Sequence, residues 1–425
     1  MARAETQKHD LESLPSPAEL AEELCHLPGM VFLDSSSSDG SVDGSGQARY
    51  SLITACPSRI LKGNIFKEKS RERLRTALTD HQRPETSTPD LGFPTAGLYG
   101  SVDYEGDFVF GEYHEYLVYD HKKEEWQEEG SLSTKRKEAS FRKLEGALPF
   151  TGHTSEKEFC EMVATAQEYI AAGDIYQVNL SHKFTASLPT EFSAFLLHQR
   201  LRDRSPAPFA AYVALDDKVI VSSSPEQFLS ISGRTIQTRP IKGTRPRFRD
   251  RERDEKSAYD LITSPKEVAE LIMITDLERN DLGQICEYGS VEATELLKLE
   301  RYAQVFHLVS TVEGRLRQEV DHISALHACF PGGSITGAPK KRAREIIEEL
   351  EPVPRGVYTG AIGCLGFNGE SRFNIAIRTA IVENNELHFH VGAGIVADSI
   401  PEKEWEETLH KAAGIFQACE SFEDN

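Results

Sequence analysis

Two short segments each place a pair of glutamates three residues apart: Glu267 and Glu270 in KEVAELIM, and Glu404 and Glu407 in EKEWEETL. Residues i and i+3 share a helix face, so each pair would present two carboxylates in one direction. Two such faces opposed would make an all-oxygen site, the donor set that hard Mg2+ prefers. On an acidic chain the same spacing also describes a solvated helix face, and spacing alone does not bring two helices together.

Other residue types suggest acid, base or nucleophile chemistry. Lys242, in Pro240-Ile241-Lys242-Gly243-Thr244, stands in an apolar, turn-flanked setting where a desolvated amine could become nucleophilic or basic; most lysines are simply solvated. Glu226 follows a rigid Ser224-Pro225 turn and becomes a general-acid candidate if buried. His307 lies in a β-branched run, where a histidine is most often a satisfied core or edge group. Arg378, among the apolar residues of NIAIRTA, needs an anionic partner, either a protein carboxylate or a ligand. FPGGSITGAPKKRAREIIEEL (330–350) reads as a Gly-rich turn entering a helix, whose N–H groups could hold an anion or whose glycines could only shape the loop. It is not a phosphate-binding P-loop, because Gly337 is followed by Ala338 and Pro339. Val391-Gly392-Ala393-Gly394-Ile395 could let a ligand approach bare backbone, or reflect tight β packing.

These residues must be held by specific elements. Phe159, Met162, Val163, Ala166 and Ile170 stand at helical spacing in a segment capped by Thr154 or Ser155 and stopped at Gly173, and further helices are expected at 191–202, 264–276, 339–350 and 402–418. Alternation predicts strands at 49–55, 97–102, 108–110, 116–119, 174–181, 209–215, 219–222, 229–232, 305–312 and 386–391. Strands joined mostly by short turns, with helices inserted, indicate an α+β fold with largely antiparallel sheets. Residues 35–46 form a Ser/Gly/Asp stretch too polar to pack, and the mixed charges of 120–145 mark a linker or exposed hairpin. The chain is therefore divided into a β-rich N-terminal region with linker at 1–150 and a catalytic region at 151–425.

Composition narrows the partners. The chain has 425 residues, 39% hydrophobic and 27% charged, enough for a sizeable core. Its formal charge of −20 repels nucleic acid and anionic lipid, so neither is an expected partner. An anionic substrate would have to meet a locally basic site or a metal. The seven scattered cysteines show no metal-ligand spacing and fit a reducing cytoplasm. The polar first ten residues resemble no export signal, and no stretch approaches a membrane span.

Read in order, GDIYQVNLS, SSSPEQF, PIKGTRPR, KEVAELIMITDLERNDLG, FHLVSTVEG, FPGGSITGAPKKRA, YTGAIG, IAIRTA and VGAGIVADSIPEKEWEETL resemble the chorismate-utilising enzymes over roughly residues 155–418. The resemblance implies a large fold in which two mainly antiparallel sheets form a sandwich core, with helices outside and the active site between the sheets. At 1–150 it is looser, through ARYSLITACP. Anthranilate synthases and isochorismate-forming relatives typically carry Ala in PIAGT, whereas PIKGT is typical of the aminodeoxychorismate synthase branch. Lys242 thus points to p-aminobenzoate and folate synthesis, with anthranilate, isochorismate or salicylate formation as the alternative.

The same resemblance assigns Glu270 and Glu407 as Mg2+ ligands, with Glu267 and Glu404 completing the acidic shell. It places Arg378 and Tyr358 on the enolpyruvyl carboxylate of chorismate, aided by Gly392 and Gly394, with Lys411 and Thr244 lining the pocket. Lys242 would attack C2 while Glu226 protonates the departing C4 hydroxyl, ammonia would then displace the lysine, and His307 would sit near the reacting ring. No cysteine lies in a G-x-C-x-G turn, so ammonia is expected from a separate glutamine amidotransferase subunit.

Overall fold

The computed structural model describes residues 11–35, 49–81, 91–141, 146–302 and 304–420. Its strands form two large antiparallel sheets. The first runs, edge to edge, through Gly337–Ala338, Gln177–Ser187, Glu386–Ile395, Thr379–Glu383, Lys218–Ser224, Phe209–Leu215, Val31–Asp34, Tyr50–Thr54, Tyr116–Asp120 and Glu125–Glu129. The second runs through Ile241–Pro246, Val305–Arg315, Thr235–Arg239, Gln227–Ser232, Glu370–Ile375, Ala361–Gly366, Gly97–Val102, Asp107–Tyr113 and Arg59–Asn64. Strands from the N-terminal third extend both sheets: Val31 pairs with Val213, and Val102 with Ala361. The change of character near residue 150 therefore does not interrupt either sheet.

Period-two alternation builds the sandwich. Val31, Ala211 and Val213 of the first sheet share an apolar cluster with Tyr99, Ile362 and Cys364 of the second. Their chain neighbours Phe32 and Tyr212 point the other way, onto Leu20 and Leu24 of the Pro17–Leu24 helix, Phe195 of Ala194–Arg204, and Ile415 of Pro401–Ala418. The first sheet is thus buried on both faces, as its run of apolar strands requires.

The expected helix starts are set by local chemistry. Ser155 caps Glu156–Ala172 by accepting the Glu158 N–H, Glu158 returns its carboxylate to the Ser155 N–H, and Gly173 ends the helix in a left-handed conformation (φ 85°). The 264–276 helix extends further, to Gly283. Two helices that no apolar stripe announced are Glu68–Asp80, which buries only Leu74 and Ala77, and Arg251–Ile262. The mixed-charge stretch contains a hairpin pairing Tyr116–Asp120 with Glu125–Glu129. The polar stretch at 35–46, apart from Ser35, lies outside the described residues. Among the described residues no helix is long and apolar enough to cross a membrane.

Candidate active site

A cavity of about 660 Å3 opens between the two sheets near the ends of the ExxE helices. Two sheet-switching corners supply its acid and its guanidinium. The chain leaves the first sheet at Ser224, turns through Pro225-Glu226, and enters the second at Gln227; it returns from Ile375 to Thr379 through Ala376-Ile377-Arg378. The corners are tied together, Ile375 N–H donating to Glu226 O (3.1 Å) and Ser223 N–H to Arg378 O (3.0 Å). Glu226 and Arg378, 152 residues apart in sequence, therefore face one cavity.

Burial pushes the Glu226 carboxyl above its ordinary range, against the lowering effects of Ser334 and Lys242, which favours a protonated acid. Among the described residues the Arg378 guanidinium makes no hydrogen bond or ion pair, with Glu226 acting on it only through space. A half-buried guanidinium in that state is suited to an anionic ligand.

Lys242, Thr244 and His307 come from the edge of the second sheet. The pairing of Ile241–Pro246 with Val305–Arg315 shifts register between Lys242 and Thr244, leaving Gly243 as a bulge at φ 73°. A Cβ there would lie 2.6 Å from Leu261 Cδ1 and 3.0 Å from Glu267 Oε2, so both conformation and space call for glycine. All three flanking side chains line the cavity. Lys242 Nζ donates to Ser334 O (3.2 Å), and Thr244 Oγ1 lies 3.0 Å from His307 Nδ1. Burial, assisted by Arg378, drives the His307 pKa down to about 3, so its imidazole is neutral at working pH.

The Gly-rich loop carries Ser334 rather than an open anion nest at Gly333. The Gly333 N–H is donated to the buried Glu278 carboxylate (2.9 Å), so that amide is not available to a ligand. Held from behind in this way, Ser334 meets Lys242 through its carbonyl and Glu226 through its side chain.

The two ExxE helices share a construction. Each begins with proline in its first turn, Pro265 or Pro401, and carries its glutamates in the first two turns. Their faces meet: Lys266 Nζ lies 3.7 Å from Glu404 Oε1 on one helix and 4.0 Å from Glu270 Oε1 on its own. Glu267, Glu270 and Glu407 line the cavity. Glu404 is buried behind them, accepting from Ser399 Oγ (2.7 Å), and is not a wall of the cavity. Burial lowers the Lys266 ammonium, but the four glutamates outweigh it and raise the pKa.

The buried Oε1 of Glu270 has no hydrogen-bond partner, and burial raises its carboxyl despite Lys242 and Lys266. An unbonded carboxylate oxygen within an all-oxygen cluster fits a hard divalent cation. Glu407, where the nearby ammonium of Lys411 (2.8 Å) overcomes burial, is held below its ordinary range. Lys411 also donates to Gly392 O (2.9 Å), which joins this helix to the strand carrying Gly392 and Gly394. Tyr358 packs against that strand: a Cβ on Gly392 would fall 2.9 Å from its hydroxyl. Burial pushes the Tyr358 phenol up to about 12.

Four residues not singled out individually in the sequence complete the arrangement. Ser334, Lys266 and His390 line the cavity, and Arg355 holds two further lining residues, Ile335 and Asn179, by their carbonyls. The Arg355 fork binds Glu351 twice (2.7 and 2.9 Å), and its other donors reach Ile335 O and Asn179 O. Lys266 carried a signal in its place directly before the first glutamate of an ExxE pair, and Ser334 in its place within the Gly-rich turn.

A family profile described as chorismate binding enzyme matches residues 69–417. The chain belongs to this family. The chain is 45% identical over 278 residues to aminodeoxychorismate synthase component 1 of Bacillus subtilis strain 168, covering 65% of this chain and 58% of that protein. It is 36% identical over 425 residues to anthranilate synthase component 1 of Thermus thermophilus, covering 90% of this chain and 92% of the relative. The crystal structure of anthranilate synthase component I from Streptococcus pneumoniae TIGR4 superposes with a TM-score of 0.75 at 31% identity, over 87% of this chain and 92% of that one. The menaquinone-specific isochorismate synthase of Escherichia coli shares the fold, with a TM-score of 0.76 at 19% identity over 96% and 92% of the two chains.

Proposed function

We propose that this chain aminates chorismate at C4, forming 4-amino-4-deoxychorismate for p-aminobenzoate synthesis, with ammonia delivered by a separate glutamine amidotransferase subunit in the cytoplasm. The observation that carries the reading is the pairing of Lys242 with Glu226 across Ser334, in a cavity that also holds the Arg378 guanidinium, which has no hydrogen-bond or ion-pair partner among the described residues. The name of the Bacillus relative supports it, and so does that relative's being one component of a larger enzyme.

Arg378 and Tyr358 bind the enolpyruvyl carboxylate, with Gly392 and Gly394 leaving room for the ligand beside the strand. Glu270 and Glu407 would hold Mg2+, with Glu267 and Glu404 around them; bound there, it would supply positive charge for a substrate carboxylate. Lys242 as the free amine attacks C2, both ring double bonds shift by one position (C1=C2 to C1=C6, C5=C6 to C4=C5), and the C4 hydroxyl leaves as water with the proton of Glu226. Ammonia then adds at C4, both double bonds shift back, and the C2–nitrogen bond breaks to restore Lys242. The proton lost by the new amine returns to Glu226. Neutral His307, fixed by Thr244, faces the ring and contributes no net charge.

Lys242→Ala tests the nucleophile. With ammonium as nitrogen donor, aminodeoxychorismate formation should fall at least 100-fold while the melting temperature stays near that of the unaltered protein. Near-full activity in the alanine variant would remove the covalent step.

A further inference from the structure

His390 lies in the strand Glu386–Ile395, where alternation puts it on the same face as Gly392 and Gly394. It lines the cavity, yet is only 2% exposed. Its ring stacks on Tyr358 at 15° with centroids 5.4 Å apart. Neither Nδ1 nor Nε2 has a hydrogen-bond partner among the described residues. The contrast with His182, on the adjoining strand, is informative: there Nε2 is satisfied by Thr408 Oγ1 (2.8 Å). Burying an imidazole with both nitrogens bare is costly unless something else supplies the partner. Here the residue is part of the cavity wall.

The surroundings indicate what that partner is. Burial, Lys183, His388, Arg355 and His182 all act to keep the ring from taking a second proton. The ring is therefore neutral, with one N–H to donate to an oxygen acceptor. We propose that His390 is a substrate-binding residue that donates a ring N–H to a carboxylate oxygen of the ligand at the Tyr358 end of the cavity. This rests on the reading above for the nature of the ligand, a carboxylate-bearing ring. Stacking fixes the ring plane before the ligand arrives, and Tyr358 and His390 form one wall of the carboxylate subsite.

The test compares the full chain with His390→Phe, which keeps the ring on Tyr358 but deletes the donor, and His390→Gln, which restores an N–H donor. Chorismate is titrated by calorimetry in Mg2+-containing buffer, and ligand-free melting temperatures are measured in parallel. His390→Phe should bind chorismate about tenfold more weakly (~1.4 kcal/mol) with a melting temperature equal to or above the unaltered value, and His390→Gln should recover part of the affinity. Binding by His390→Phe within twofold of the unaltered protein would overturn the assignment and leave the proposed reaction standing. Loss of binding accompanied by a lowered ligand-free melting temperature would also overturn it, in favour of a packing role. If the unaltered protein binds chorismate but yields another product while His390→Phe binds weakly, the assignment holds and C4 amination falls. If the unaltered protein binds no chorismate, both fall.

Discussion

Glu278→Gln should stabilise the protein, and only at high enough pH. Glu278 sits 2% exposed on the Pro265–Gly283 helix, three residues before Asp281, itself 4% exposed. The single ammonium of Lys340 is committed to Asp281. Burial and the neighbouring Asp281 carboxylate therefore raise the Glu278 pKa from 4.5 to about 7. Below pH 4.5 the group is protonated in both folded and unfolded chains and contributes nothing to their difference. Between 4.5 and 7 the folded protein holds a proton that the unfolded chain has released, so stability falls as pH rises. Above 7 the folded state must carry a second buried charge, and the unfavourable contribution reaches its full size. That size is the interval between the two pKa values, of order 3 kcal/mol at 1.36 kcal/mol per unit. Glutamine never ionises and keeps a carbonyl for the Gly333 N–H. Urea unfolding of both proteins at pH 5 and pH 8.5 should show Glu278→Gln gaining about 2–3 kcal/mol on the unaltered chain between the two conditions. An equal stability difference at both pH values would refute the burial reasoning, and so would a less stable variant at pH 8.5.

Glu351→Ala strips the buried Arg355 guanidinium of its carboxylate and should cost about 3–5 kcal/mol, read from urea unfolding; a loss below about 1 kcal/mol would mean that water reaches the fork. Glu270→Gln removes one charge from the four-carboxylate cluster while keeping its shape, and should raise the Mg2+ concentration needed for half-maximal turnover at least tenfold. An unchanged Mg2+ dependence would count against that cluster as the metal site.

The main chemical groups were visible in the sequence because their local settings are short-range. Pro265 and Pro401 start helices, and i, i+3 spacing then puts each glutamate pair on one face. The bulge at Gly243 follows from a glycine between Lys242 and Thr244 in a strand edge. What spacing could not give was that the two ExxE faces meet, because the Lys266–Glu404 contact joins residues far apart in the chain. The two corners were equally hidden: each looks like a strand–turn–strand, and only the pairing of whole sheets reveals that Glu226 and Arg378 both stand where the chain changes sheet. The roles of Ser334 and His390 were not legible, since one acts through its carbonyl and the other stands out by what it does not bond. The Glu68–Asp80 helix escaped because charged residues cover most of its surface, and Glu278 because a buried carboxylate inside DLERND reads as a solvated one.

The most direct measurement is the product formed from chorismate, Mg2+ and ammonium at mildly alkaline pH, with and without added aminodeoxychorismate lyase. Amination at C4 requires p-aminobenzoate that appears only when the lyase is present. Anthranilate formed without the lyase, or isochorismate with no nitrogen incorporated, would leave the fold and the cavity as described and contradict the role given to Lys242.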